Sequence, residues 1–231
     1  MEKTAAFFLE KMWTVIGASA RDAQLLLQSS PAFFEEMKKR REACPRAWLF
    51  GIAVATGLSV LGLPASRSAG VVPSFEFVGV MTMANWLLIL FYGACFGLAA
   101  RLSGARKGML VSINAFFYLA GWLVFLKLFE MPALGVRLKV MAQNCTAAGY
   151  GEAVSSTIQT SSMAVLSNFF VLIGYAVFIF LMFRLQRLVH EFGRIRALFA
   201  TTVGVLFLSA AVSYVQGPVI SQLLCAYASP T

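Results

Sequence analysis

The chain has 231 residues, of which 59% are apolar and only 13% charged, with a formal net charge of +9. A soluble domain carries about twice that charged fraction. With a mean hydropathy of +0.77, the composition points to an integral membrane protein and, because Lys and Arg cluster at the ends of apolar runs rather than on a polar fold with aromatic stacking platforms, excludes nucleic acid as a partner.

Residues 1–46 read as a cytosolic region of two helices. In residues 4–28, Leu9, Met12, Trp13, Ile16, Ala20, Ala23 and Leu27 recur at helical spacing, with Lys3, Glu10, Arg21 and Gln24 mostly opposite. Charge interrupts this stretch too often for a span, so it is expected in the interface or docked on the cytosolic ends of the spans. Glu2, Glu10 and Asp22 spoil the pattern of a cleavable signal peptide, which leaves the first span as the insertion signal. A second helix starts with Ser30 as N-cap and Pro31 at the first helical position. Glu35 and Glu36 lie early in it and Lys38, Lys39, Arg40 and Arg41 late, as the helix dipole favours. That basic cluster marks the cytosolic side and offers a surface to anionic phospholipids.

Five spans follow, so the expected fold is all-α, a polytopic membrane domain over residues 47–216. The first span covers residues 47–63 and ends at Pro64; Gly51, Ala55 and Ser59 form a stripe on which another helix can approach closely. The second covers 81–100 and holds the Gly93-x-x-x-Gly97 packing motif. After a basic turn with Arg101, Arg106 and Lys107, the third covers 108–126. A loop over 128–162 is the longest connection and contains Pro132, Arg137, Lys139 and Cys145. The fourth span covers 163–183. Arg184, Arg187, Arg194 and Arg196 form a second basic surface for anionic phospholipids in the link to the fifth span, 197–214. Gly217-Pro218 then breaks the chain into an extracytoplasmic tail, 217–231.

Alternating the compartments places fifteen Lys and Arg on the N-terminal side and four opposite. That bias predicts a cytoplasmic N-terminus and an extracytoplasmic C-terminus, as in a bacterial inner membrane. This topology puts Cys145 and Cys225 on the outer side, Cys44 inside and Cys95 within a span. Two thiols in an oxidising compartment that can meet usually pair, so a Cys145–Cys225 disulfide is expected. No CxxC or CxxH pair is present to hold a metal.

The sequence contains no HExxH, GxSxG or P-loop, and the span boundaries leave no ionisable residue near a span centre. No catalytic residue and no cofactor is therefore assigned. Asn85, Asn114 and Asn168, with Thr56, Ser59, Ser112 and Ser167, are among the polar residues inside spans. They serve as interhelical hydrogen bonds worth about 0.6–2 kcal/mol each, or line a polar cavity. His190 stands beside Glu191 among arginines and reads as a surface residue of the cytosolic turn.

Ser30-Pro31-Ala32-Phe33-Phe34 with the basic helix ahead of span one, and the 190–197 link into the last span, resemble the Yip family of Rab/Ypt-interacting membrane proteins and their bacterial relatives. The five-span layout over residues 31–214 is similar too. The cytosolic Asp-Leu-Tyr-Gly-Pro motif of the eukaryotic members is absent, so the resemblance does not extend to Rab binding. It implies a non-enzymatic membrane scaffold or accessory subunit that organises lipids, other membrane proteins or further copies of itself. The asparagines, and an echo between residues 114–122 and 168–175 in oppositely directed spans, point instead to a transporter or channel subunit for an apolar or zwitterionic substrate.

Overall fold

The computed structural model describes residues 45–144 and 162–227, with Thr14, Gly17 and Arg21 of the N-terminal segment helical. The expected amphipathic helix, the Lys38, Lys39, Arg40 and Arg41 cluster, and Cys145 otherwise lie outside the described residues. The described chain forms five long helices: α1 (Pro45–Ser68), α2 (Phe75–Leu102), α3 (Met109–Asn144), α4 (Ser162–His190) and α5 (Arg194–Tyr227). Each contains an apolar window long enough to cross a bilayer. In lipid a backbone must satisfy its own hydrogen bonds, and helices do so within a single segment.

Every helix extends beyond its predicted span, for reasons visible in the residues. α1 passes through Pro64 and ends at Ser68. A proline costs a water-exposed helix one hydrogen bond and a steric clash, but a span tolerates it because Ser side chains and neighbouring helices compensate. Ser66 and Ser68 bond back to the Gly62 and Ala65 carbonyls here. Gly70, at φ 83°, then turns the chain. α2 starts at Phe75 because Ser74 caps it, its side-chain oxygen accepting from the Phe77 N–H at 3.0 Å.

The largest correction concerns the long loop. α3 continues through Pro132 to Asn144, so the first half of the predicted 128–162 connection is helix. The link after span four shrinks in the same way. α4 carries Arg184 and Arg187 inside it, and only Glu191 to Gly193 separates it from α5, with Glu191 at φ 57°.

The expected break at Gly217-Pro218 is absent. Val212–Gln216 forms a π turn, in which the Gly217 N–H reaches the Val212 carbonyl. The wider turn makes room for the Pro218 ring, and helix continues from Gly217 to Tyr227. The predicted tail over 217–231 is thus helical in its described part.

α3 is the central helix. It packs on α1, α2, α4 and α5, and residues 112–120 are buried without interruption. Within its apolar window 56% of residues are buried, against 22% in α5, which presents most of its surface outward. Phe116 and Phe117 centre the core: Phe117 meets Trp48 edge-on at 5.3 Å, and Phe116 packs on Phe96 and Phe178.

The small-residue positions explain how the helices come so close. A Cβ added at Gly51 would lie 2.5 Å from the Phe117 ring. One at Gly93 would sit 3.3 Å from the Ile113 backbone, and one at Gly97 3.1 Å from the Ser112 side chain. Ala55 and Ser59 are buried on the Gly51 side of α1. Without a hydrophobic drive between helices in lipid, this close contact supplies the van der Waals attraction that holds them.

Candidate functional site: a cavity inside the bundle

A cavity of about 250 Å³ opens between the helices, with walls from all five. Along α3 its lining runs from Phe116 to Leu138, about 30 Å of helix rise. Its inner part is apolar, bounded by Ile89, Phe116, Leu123, Phe178 and Leu208 among others. Two polar pairs punctuate the wall. Asn85 donates to the Ser59 hydroxyl at 2.9 Å. The Tyr92 hydroxyl donates to Gln216 Oε1 at 2.5 Å, bringing α2 to the π turn of α5. π turns inside helices often mark functional positions.

The far end of the cavity is charged. Glu130 accepts from Arg137 Nη1 at 2.5 Å and from Lys127 at 3.5 Å. Arg137 Nη2 donates to the Asn168 carbonyl oxygen at 2.8 Å. The three charged side chains retain only about a fifth of their exposure and line the cavity together. Arg137 Nε is buried with no partner among the described residues. Two cations share one carboxylate, so the cluster keeps an excess of one positive charge. Partly desolvated ionisable groups are costly and point to a site.

Of Asn85, Asn114 and Asn168, read from the sequence as interhelical hydrogen bonds or as the lining of a polar cavity, Asn85 alone lines this one. Asn114 is buried and accepts from the Trp48 indole N–H at 3.0 Å, which ties α3 to α1. Asn168 is engaged by Arg137. Lys127, Glu130 and Arg137 fell in the predicted loop or at its edge. Their signal was the spacing: Lys127 and Glu130 stand at i,i+3, and Glu130 and Arg137 at i,i+7, both one face of a helix.

The opposite end of the bundle is basic. Arg101, Arg106, Arg187, Arg194 and Arg196 are exposed there, and Arg184 and Arg187 lie over the Phe180 and Phe183 rings. His190 is buried, contrary to the expected surface position. Its Nε2 lies 3.0 Å from the Ser112 hydroxyl, and its ring packs on Phe192. Lys107 donates to the Val189 carbonyl at 2.6 Å and sits 3.4 Å from Glu191. Gln186 donates to the Phe96 carbonyl. These bonds fasten the α2–α3 turn to the α4–α5 turn.

Among the described residues no group of His, Cys, Asp or Glu is placed to hold a metal ion. Cys95 is a free thiol, whereas Cys225 is disulfide-bonded. Its partner lies outside the described residues, and Cys225 Sγ stands 3.8 Å from the Ala142 carbonyl oxygen.

No family model, curated protein or solved structure matches the chain.

Proposed function

We propose that this integral membrane protein takes a small molecule with an apolar body and a charged or zwitterionic head into its intrabundle cavity, as a carrier or transport subunit and without covalent chemistry. The observation behind this reading is the joining, in one cavity, of a long apolar lining to the Lys127–Glu130–Arg137 cluster. The cost of holding ionisable groups partly desolvated in a cavity is borne where they serve a ligand or a pathway. Native mass spectrometry of protein purified in mild detergent tests it. A stoichiometric small-molecule adduct is expected, lost when Leu208→Trp fills the apolar wall. An empty wild-type protein accompanied by a stoichiometric partner protein would overturn it.

That second outcome belongs to the scaffold reading, which the Yip-like layout also favours. The specific support for it is the outward face of α4, where Phe169, Ile173, Val177 and Phe180 are exposed in one stripe. Such a face suits another membrane protein or a second copy. The small-residue stripes of α1 and α2 are already used within the bundle, which is why the cavity is preferred.

We further propose a bacterial inner-membrane location with the basic end cytoplasmic, where Arg184, Arg187, Arg194 and Arg196 meet anionic phospholipids. The C-terminus is then extracytoplasmic, and the Cys225 disulfide suits an oxidising side. Cys145 is the proposed partner of Cys225, because it lies three residues beyond Ala142. In right-side-out vesicles an impermeant reductant followed by an impermeant thiol reagent should label Cys225 and Cys145 together. Labelling only in inverted vesicles would reject the orientation, and labelling of Cys44 in place of Cys145 would reject the pairing.

A further inference from the structure

We infer that the ligand of the cavity is an amphipathic acid: a single alkyl or acyl chain ending in a carboxylate or phosphate, with the acid group seated between Lys127 and Arg137. The inference rests on the cavity reading and goes beyond it by fixing the sign of the head and the direction of the chain.

The sign follows from the charge inventory. Two cations and one carboxylate face the same space. Glu130 is close to Arg137, at 2.5 Å, but 3.5 Å from Lys127. That longer distance is a weak hydrogen bond, and an ammonium has three donors to place. Arg137 uses Nη1 on Glu130 and Nη2 on Asn168, and its buried Nε has no partner among the described residues. Donors therefore outnumber acceptors in a partly desolvated place. A buried excess cation is costly unless an anion joins it, and an acid oxygen supplies both the missing charge and the missing acceptors. A cationic head would instead need a second carboxylate, and among the described residues none besides Glu130 lines this cavity.

The direction follows from the lining. Beyond the cluster the walls turn mostly apolar, through Leu126 and Leu123 to Phe116 and Phe178, and the Asn85–Ser59 and Tyr92–Gln216 pairs in the wall are each hydrogen-bonded within the pair. A mostly apolar passage running about 30 Å along α3 suits a chain better than a compact polar solute. Its charged end lies at the same end of the bundle as the α1–α2 turn, where Tyr227 donates to Glu76.

Binding to the full-length protein in nanodiscs of neutral lipid, with protein-free nanodiscs as blank, tests this with laurate, lauryl phosphate, laurylamine and lauryl alcohol. The two acids should bind about tenfold or more tighter than the amine and the alcohol, the yield of one charge-assisted hydrogen bond. Arg137→Gln should remove that preference, with circular dichroism and the unfolding midpoint reporting that the variant is folded. Arg137→Lys should keep part of it. Glu130→Gln should tighten acid binding several-fold, because it frees both cations; a merely structural Glu130 would give weaker binding of every probe. Lysophosphatidate placed in the nanodisc at the same molar ratio distinguishes sources: displacement of laurate by lysophosphatidate assigns a single-chain membrane lipid, and its failure assigns a free acid. Equal binding of acid and alcohol, insensitive to Arg137→Gln, would overturn the acid and leave the cavity reading standing. No saturable binding of any lauryl probe, with Leu208→Trp silent, would overturn both.

Discussion

At the basic end of the bundle, polar side chains close upon one another. Ser112 meets His190, Gln186 meets the Phe96 carbonyl, and Lys107 crosses to Val189 and Glu191. Glycines there bring backbone against side chain, as at Gly97 over Ser112 and Met109. At the other end the same five helices stand apart around a cavity, and the polar groups point into it with unequal charge. Gly62, which lines that cavity, has nothing within 4 Å of an added Cβ. The residue types at the two ends are similar, so composition does not decide which end is sealed. Among the described residues unpaired buried polar atoms occur at both ends, Gln186 Oε1 and His190 Nδ1 at the basic end and Arg137 Nε at the other, so the difference lies in charge and space. The first two are enclosed by packed helices, whereas the guanidinium donor stands beside open volume that something bringing acceptors can fill.

The strongest way to break this contrast is to overfill each end in turn. Gly97→Leu forces a branched side chain where a Cβ alone already lies 3.1 Å from Ser112 Cβ and 3.2 Å from Met109 Cγ. It should destabilise the folded protein by about 3 kcal/mol, the upper range for overpacking a filled core, and lower the yield of monodisperse protein in detergent. Gly62→Leu, the same change in chemistry, enters open space and should cost no more than about 0.5 kcal/mol. Thermal unfolding of the two variants side by side is the measurement. Equal losses would mean that the cavity end is as tightly packed as the basic end, and the contrast would fail.

The sequence made the five spans legible because long charge-free runs have few other solutions in lipid. It also made the small-residue contacts legible, since the spacing of Gly51, Gly93 and Gly97 is itself the signature of close approach. Helix ends were not legible. Pro64 and Gly217-Pro218 read as stops by the rules of water-exposed helices, yet each sits inside helix, and Pro132, assigned to a loop, is helical too. The π turn at Val212–Gln216 that accommodates Pro218 has no sequence signature of its own. The end set for span three at residue 126 had the largest consequence. It assigned Arg137 to a loop and hid the face it shares with Lys127 and Glu130. The asparagines were legible as polar glue for Asn85 and Asn114. Their partners were not, because pairing across helices depends on rotations about helix axes that no single segment specifies. His190 was misplaced for the same reason: its surroundings come from α3, far away in sequence.

A smaller and more local change sharpens the contrast at the level of single hydrogen bonds. Ser112 at the basic end and Ser66 in the cavity wall are both buried hydroxyls. Ser66 bonds only back to the Gly62 carbonyl of its own helix, so Ser66→Ala removes a redundant bond and should change stability by no more than about 0.5 kcal/mol. Ser112 meets the ring of His190 on another helix. A hydrogen bond between spans is worth only about 0.6 kcal/mol on average, and Ser112→Ala would stop there if that were the whole effect. His190 Nδ1, however, is already without a partner among the described residues. Losing Ser112 would leave both ring nitrogens unsatisfied in a buried position, which adds a desolvation cost and brings the expected loss to about 1–2 kcal/mol. The double variant Ser112→Ala with His190→Phe separates the two contributions. Replacing both partners by apolar groups removes the stranded polar atoms, so it should recover most of the loss. Unfolding midpoints of the two single variants and the double variant complete the cycle. A Ser112→Ala protein as stable as Ser66→Ala, or a double variant weaker than either single one, would show that the basic end is held by its glycine contacts alone and not by hydrogen bonds between its helices.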